Sequence, residues 1–457
     1  MHAPSCFEKI RASKRSLLGI VYFALFIDTM LMTTVVPILP EYLLRQDHFN
    51  ETEQLLHESH AAADISHAKD DAHDMIAHQN VLIGLMFGSK ALVQAITNPF
   101  VGPITAKIGY SIPLFVGFVV MFGSTLVFAV SSSVALLWIA RAVQGVGSAA
   151  TATAGMGMLA QSYTDDQERG SAMGIALGGL ALGVMVGPPF GGALYAWSGK
   201  ELPFLILAML ALISGVAQLL ILRPHVEKAE GEASTFRDLL TDPLIVVSAG
   251  AIAIGNIGIA MLEPSLPLWM MESWGASSME RGAAFLPASI AYLLGTNAFG
   301  TLGHRIGRWR SALIGMVVIG VSLAAVPQAT SVYGLIIPNA CLGFSIGMID
   351  SSMFPLMGQL VDLRHGGIYG SVYAIADASF CMAFAVGPFL TGPLVSAVGF
   401  PVMMYIVAIA CIAYAPLLFL LRDPKATNQV QPMMHENVTV VKIDGNEDLR
   451  RRLSNIA

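Results

Sequence analysis

The chain has 457 residues, 55% of them hydrophobic and only 12% charged, with a mean hydropathy of +0.66. That balance excludes a soluble globular protein, and the apolar residues fall in runs of about twenty, the length that crosses a bilayer as a helix. The formal net charge of -6 decides little, because the placement of Lys and Arg sets topology in a membrane protein.

Apolar length, with breaks at Pro, Gly and charge, predicts an all-α integral membrane protein of twelve spans. They lie at 17–42, 81–104, 112–132, 134–161, 170–195, 202–222, 243–271, 282–303, 311–328, 333–360, 368–397 and 401–421. The first run is long enough to stay as helix 1, with no small-residue cleavage site. With the N-terminus cytosolic, the cytosolic segments hold most Lys and Arg, among them Arg15, Lys107, Arg169, Arg223, Arg305, Arg308 and Arg364. The opposite side holds only Arg45, Lys69, Lys200 and Arg281, so both termini are placed in the cytosol.

The two halves repeat. Thr97-Asn98-Pro99-Phe100 with Lys107-Ile108-Gly109 closes span 2, and Thr296-Asn297-Ala298-Phe299 with Arg305-Ile306-Gly307 closes span 8. Gly187-Pro188 with Gly191-Gly192 in span 5 is echoed by Gly387-Pro388 with Gly392-Pro393 in span 11. An offset of 198 to 200 residues puts like motifs on helices n and n+6, as two duplicated six-helix bundles would. The expected order is a tail at 1–16, a bundle at 17–222, a cytosolic linker at 223–242, a second bundle at 243–422 and a tail at 423–457.

Ionisable residues stand inside these spans: Asp28, Lys90, Arg141, Glu263, Asp350 and Asp377. Charges at bilayer depth are costly and mark paths for ions, protons or charged substrates. Asp28 lies halfway between Arg15 and Glu41, near the midplane, where an unpaired carboxylate protonates or recruits a cation. That cation is an ammonium substrate, or Lys90 or Arg141 in a pair that locks helices together. Lys90 and Asp377 each follow the start of their spans by about ten residues from opposite faces, about 15 Å inward. A bridge between them across the halves is expected, either tied to protonation or static. Asp350, with two serines and Pro355 after it, suits a protonation site. Glu263 precedes Pro264, whose ring kinks span 7. Gly183, Gly187, Gly191 and Gly192 line one face of span 5, which Pro188 and Pro189 bend, giving close packing with the content of a rocking hinge.

The same residues carry a family resemblance. Phe26-Ile27-Asp28, Phe87-Gly88-Ser89-Lys90, Arg141-Ala142-Val143-Gln144-Gly145-Val146-Gly147, Met261-Leu262-Glu263-Pro264, Ile349-Asp350-Ser351-Ser352 and the Tyr369 to Asp377 stretch stand in this order. Together they resemble the vesicular monoamine transporters of the major facilitator superfamily, from about Leu17 to Arg422. The resemblance implies two pseudo-symmetric six-helix bundles and antiport of protons against a cationic monoamine such as dopamine, serotonin or octopamine. It implies that Asp28, Asn256 and Glu263 face the amine, with Phe87, Tyr292 and Phe380 as cavity aromatics. It also implies that Asp350, Asp377, Lys90 and Arg141 couple protons. Trp269 is implied near the lumenal gate, or sits in the interfacial aromatic belt. A vesicular proton pump would supply the gradient. Vesicular acetylcholine carriers and broad organic-cation antiporters are the alternative within transport, and a receptor is the alternative outside it.

There are departures. The family pattern has Asn after the helix 1 aspartate, where this chain has Thr29, and a tyrosine where it has Phe384; both remove polar groups near the substrate. Ala106 and His304 replace the superfamily's loop acid beside Lys107 and Arg305, which predicts a weaker cytosolic latch. Cys6, Cys341, Cys381 and Cys411 include no lumenal pair, so the lumenal disulfide of vertebrate relatives cannot form. The lumenal loop at 43–80 holds six histidines, from His48 to His78, spaced too irregularly for a metal site and read as solvated. Its sequon at Asn50 is expected to carry glycan, and the one at Asn437 is not. No nucleophile and base pair suggests an enzyme, and no cofactor, metal or nucleic acid is expected.

Overall fold

The computed structural model describes residues 13–38, 42, 67–222, 236–365 and 368–424, with the side chains of 67–85, 87, 278 and 279 excepted. Twelve long helices dominate them: α1 Lys14–Thr33, α2 His67–Ile108, α3 Ser111–Val130, α4 Val134–Ser162, α5 Asp166–Ser198, α6 Glu201–Leu222, α7 Pro243–Trp274, α8 Leu286–Ile306, α9 Arg308–Ala325, α10 Ile336–Arg364, α11 Gly370–Val398 and α12 Phe400–Tyr414. Eleven segments combine the length and apolarity of a membrane span. α2, packed between α4 and α11, completes the set of twelve.

α2 corrects the sequence reading. Residues 67–80, read as solvated loop, continue the helix, so α2 has 42 residues and runs about 63 Å at 1.5 Å per residue, far more than the bilayer core needs. The segment lacks both Pro and Gly, so nothing breaks the helix even though no apolar period announces it. The rest of the histidine-rich loop, with Asn50, lies outside the described residues, as does Asn437.

Duplication is visible in the packing. α1 lies on α5 and α7 on α11; α2 lies on α4 and α8 on α10; α3 lies on α6 and α9 on α12. The two seams between the halves obey the same rule, since α2 meets α11 and α8 meets α5. The tight turns obey it too. Gly109 and Gly307 close α2 and α8, Gly199 and Gly399 close α5 and α11, and all four have positive φ (82°, 101°, 78° and 81°), which favours a residue without a Cβ.

With twelve spans, both ends of the bundle lie on one face, here called the terminal face; the other is the distal face. Two aspartates cap helices at the terminal face. The Asp165 carboxylate accepts from Glu168 N at 2.9 Å and starts α5. Asp242 accepts from Leu244 N at 3.0 Å and starts α7 with Pro243 behind it. Asp242 also accepts from Arg364 at 2.6 Å and faces His365 at 3.0 Å. Burial pushes its carboxyl up, but the bonds from His365, Arg364 and Leu244 outweigh that and hold it below the usual carboxylate range.

The glycine face of α5 belongs to the first half alone. A Cβ at Gly183 would lie 2.8 Å from the Phe26 carbonyl oxygen, and one at Gly191 2.6 Å from that of Thr34, both on the α1 segment. Thr33 and Thr34 donate to the Gly183 and Gly187 carbonyls at 3.2 and 3.3 Å. Gly187, with Pro188 and Pro189 beside it, therefore stands at close packing of α5 on α1 within the first half, the packing role that the sequence reading gave it. The seam between halves uses other glycines of α5, nearer the terminal face, described below.

Candidate functional site

In the first half, α1, α2 and α4 bring together a polar cluster around Asp28. The Lys90 ammonium donates to Asp28 Oδ1 at 2.7 Å and to its backbone carbonyl at 3.3 Å, and Ser148 Oγ donates to the same carboxylate oxygen. Lys90 is 2% exposed and Asp28 9%, so the pair is desolvated. Arg141, 1% exposed, donates to Gln144 Oε1 at 2.7 Å and to the Leu31 carbonyl at 3.0 Å, while Gln144 donates to Thr125 Oγ1 at 2.9 Å. Arg141 thus finds carbonyl partners, and its ion-pair partner of the sequence reading, Asp28, is taken by Lys90.

Asp377 sits at the seam between the halves. Its Oδ2 accepts from Gln94 Nε2 at 2.9 Å and from Asn98 Nδ2 at 2.7 Å, both on α2, and Asn98 Oδ1 in turn accepts from Thr153 at 3.1 Å. This corrects the expected Lys90–Asp377 bridge. Gln94 and Asn98 follow Lys90 by one and two helical turns, so α2 presents neutral amides at the depth of Asp377, while the Lys90 ammonium is engaged by Asp28. The carboxylate is held by neutral donors, an arrangement that tolerates either protonation state.

The second half holds two further acids. Asp350, fully buried, accepts from Asn256 Nδ2 and Tyr292 OH, each at 3.0 Å. Asn256 and Tyr292, expected to face a substrate, both hold this acid in the conformation described. Glu263, on α7 two turns after Asn256, is half-buried and has no hydrogen-bond or ion-pair partner among the described residues. Trp269, six residues beyond, stacks on Phe400 of α12 at 4.7 Å between centroids and meets Trp274 edge-on at 4.9 Å. It is packed within its own half in this conformation. Phe380 packs on Phe384 at 4.9 Å; the side chain of Phe87 lies outside the described residues. Among the described residues, no group of His, Cys, Asp or Glu is arranged to hold a metal.

These features can be set beside known proteins. A model of the Major Facilitator Superfamily matches residues 21–373 and 249–453. The human synaptic vesicular amine transporter is 48% identical over 95% of this chain and 93% of its own length, and the human chromaffin granule amine transporter is 47% identical over 92% and 90%. The chain belongs to the vesicular amine transporters of the major facilitator superfamily. A Drosophila melanogaster vesicular acetylcholine transporter stands further off, at 39% identity over 91% of this chain and 73% of that protein. The crystal structure of the human organic anion transporter MFSD10 shares the fold, with a TM-score of 0.71 at 15% identity, over 89% of this chain and 99% of that one.

In this member of the family the terminal face is sealed, and the seal includes residues that sequence reading counted only as topology signals. Arg169 of α5 donates to Asp362 of α10 at 2.6 Å, and Tyr369 donates to the other oxygen of Asp362 at 2.6 Å. Burial, with Asp362 beside it, keeps the Tyr369 phenol well above its ordinary range, so it stays a neutral donor. Asp166 pairs with Arg308 at 2.9 Å and faces His304 Nδ1 at 2.9 Å. On the other seam Tyr110, pushed up to about 12 by burial, faces the backbone N–H groups of Tyr369 and Gly370. His304, next to Arg305 at the end of α8, contributes to this latch through Asp166. Asp166 and Arg169 are three residues apart, on one helix face, and that spacing was the available signal.

The latch gives a first expected outcome. Arg169→Ala leaves Asp362 without its closest cation, and breaking a partly buried pair by removing one partner costs about 3 kcal/mol of the sealed state. Steady-state uptake should fall at least about tenfold. Arg169→Lys, which keeps the charge, should retain part of the activity. Equal uptake by Arg169→Ala and the parent protein would exclude the pair from the transport cycle.

Proposed function

We propose that the protein is a proton-coupled antiporter that loads cationic monoamines from the cytosol into acidic vesicles by alternating access. The observation that carries this reading is the division of labour among the buried acids. Among the described residues, Glu263 has no partner and can take a cation, whereas Asp350 and Asp377 are held by neutral amide, phenol and weak thiol donors and can exchange protons. The relatives' names add that proteins of this length and sequence carry amines in vesicles.

The excess of Lys and Arg assigns the terminal face to the cytosol and the distal face to the lumen, with both termini cytosolic. The conformation described is then closed to the cytosol. In the proposed cycle, lumenal protons reach Asp377 at the seam and Asp350 in the second half. Protonating Asp377 removes a charge close to the Asp28–Lys90 pair and weakens the seam between α2 and α11. The amine leaves, the halves rock about the site, and the protons are released on the cytosolic side, where the next amine is attracted by Glu263 and by Asp28 once Lys90 yields it. A vesicular proton pump maintains the gradient.

Asp350→Asn and Asp377→Asn each preserve shape and hydrogen bonding but carry no exchangeable proton. In reconstituted vesicles with an acid interior, both should reduce amine accumulation to the level without a gradient, while equilibrium amine binding at fixed pH survives. Lys90→Ala should impair coupling as well. Accumulation at the parent level by either aspartate variant would defeat the proposed relay. An acetylcholine carrier is the alternative, disfavoured by the lower identity to the acetylcholine relatives. Competition of acetylcholine against a radiolabelled monoamine separates the two.

A further inference from the structure

Among the described residues, most side-chain donors around the central acids are already engaged; the Ser352 hydroxyl, which has no partner, is fully buried beside Gly303 of α8. The amides of Gln94, Asn98 and Asn256 and the phenol of Tyr292 serve Asp377 and Asp350, and the Lys90 ammonium serves Asp28. The nearby hydroxyls are turned back on their own helices. Thr29 donates to Leu25 O at 2.8 Å, Ser265 to Met261 O at 2.7 Å, Ser379 to Ile375 O at 2.8 Å and Thr391 to Gly387 O at 2.8 Å. The N–H groups of Arg141 that lack a partner are sealed inside the first half.

One wall of this region is apolar. Ala91 and Ala95 of α2 and Cys381 and Ala385 of α11 form a small cluster of their own, separate from the main core, with Phe380 and Phe384 packed against it. Phe380, Cys381 and Phe384 follow Asp377 by three, four and seven residues, so they share its helix face. Met382, nearly opposite Phe384 around the helix, is 45% exposed and marks the outer side. The two rings are half-buried and meet at 4.9 Å, leaving an aromatic surface at the seam within reach of the acids.

We propose that this transporter selects aromatic amines by positive charge and apolar ring contact and disfavours hydroxyl groups on the ring, with Phe384 as the residue that sets this preference. The proposal rests on the amine-binding reading above. An ammonium group needs only an acid, and an aryl ring gains from the Phe380–Phe384 surface. A ring hydroxyl placed on this wall gives up water and meets only Ala91, Ala95, Phe380, Phe384, Ala385 and the Cys381 thiol turned to Asp377 among the described residues, so it is desolvated without full replacement. A hydrophobic pocket discriminates against an added hydroxyl by about ten- to a hundred-fold.

The test uses the full-length protein in proteoliposomes and two matched pairs, phenethylamine with dopamine and tryptamine with serotonin. Each is assayed as a competitor of binding and of proton-driven uptake. The expected result is that the member without hydroxyls competes at least about tenfold more tightly in both pairs, and that Phe384→Tyr, which returns a phenol to the wall, narrows the gap to less than about threefold. Phe384→Leu should weaken both members of a pair and preserve their ratio. Tighter or equal competition by the hydroxylated members of the parent protein overturns the proposal, as does a ratio that Phe384→Tyr leaves unchanged. If Phe384→Tyr fails to fold, the parent ratios alone decide. Absence of competition by all four amines would instead defeat the amine-transport reading itself, so the two failures are distinguishable.

Discussion

Gly174→Ala should stop transport by holding the terminal face open. Where α5 crosses α8, a Cβ at Gly174 would lie 2.6 Å from the Thr296 carbonyl oxygen and 2.8 Å from Gly300 Cα. Ordinary contact begins near 3.4 Å, and both obstacles are backbone, so relief requires the two helices to separate. The symmetric seam is built alike, since a Cβ at Gly102 of α2 would lie 2.8 Å from Ser371 Cα on α11. Overpacking of this kind costs about 1–3 kcal/mol, and here the cost falls only on the sealed state. A shift of that size changes the balance of the two conformations by about five- to a hundred-fold.

Uptake by Gly174→Ala and by Gly102→Ala should therefore drop at least about tenfold. A cysteine placed at Thr105, buried beside Gly370 in the sealed form, should become reactive to an impermeant thiol reagent added from the terminal face. Gly19→Ala and Gly123→Ala meet nothing within 4 Å and serve as controls with unchanged uptake. Normal uptake with a protected Thr105→Cys reporter in Gly174→Ala would show that the close backbone crossing is dispensable.

How far the sequence discloses this machine depends on which physical signal each part leaves. Spans are legible because hydrocarbon thickness dictates apolar length: α3 to α11 begin and end within a few residues of the expected bounds, and α12 does so with the 3-10 turns Ala415–Leu421 that continue it. The duplication is legible because turns such as Lys107-Ile108-Gly109 and Arg305-Ile306-Gly307 need a glycine at positive φ and so repeat in register. Partners are much less legible. Counting residues from a span end places a side chain to within a turn or two, and one turn separates a Lys90–Asp377 bridge from the observed contact of Asp377 with Gln94. Neutral residues such as Gln94, Asn98 and Tyr292 do not stand out in a search for charge, although they hold two of the four proposed proton or substrate acids. Arg169 and Arg308 satisfy the positive-inside rule and the seal at once, and only the second role needs coordinates. The first fourteen residues of α2 have no apolar period, so their helix is invisible to pattern and follows only from the absence of breakers.

Asp28→Asn should produce the largest loss of any single carboxylate change, because two functions converge on that side chain. In the sealed conformation Asp28 is the only carboxylate paired with Lys90 among the described residues, at 2.7 Å, and Lys90 is 2% exposed. Removing the acid strands a buried ammonium, which costs about 3–5 kcal/mol unless the lysine gives up its proton. The variant should melt at a lower temperature and yield less folded protein. It should also bind amines about 2 to 4 kcal/mol more weakly, a loss of roughly thirty-fold to nearly a thousand-fold, since the amine exchanges with Lys90 for this counter-charge. The double change Asp28→Asn with Lys90→Met separates the effects. With both charges gone the interior is neutral, so thermal stability should return toward the parent value while proton-driven uptake stays absent. Asp28→Glu keeps the charge but extends it by a methylene, and should bind amine with an intermediate loss. The measurements are melting temperature in detergent and equilibrium amine binding at fixed pH, which isolates recognition from coupling. Undiminished affinity in Asp28→Asn, together with recovery of stability in the double variant, would leave Asp28 a packing partner of Lys90 and assign the amine to Glu263 alone.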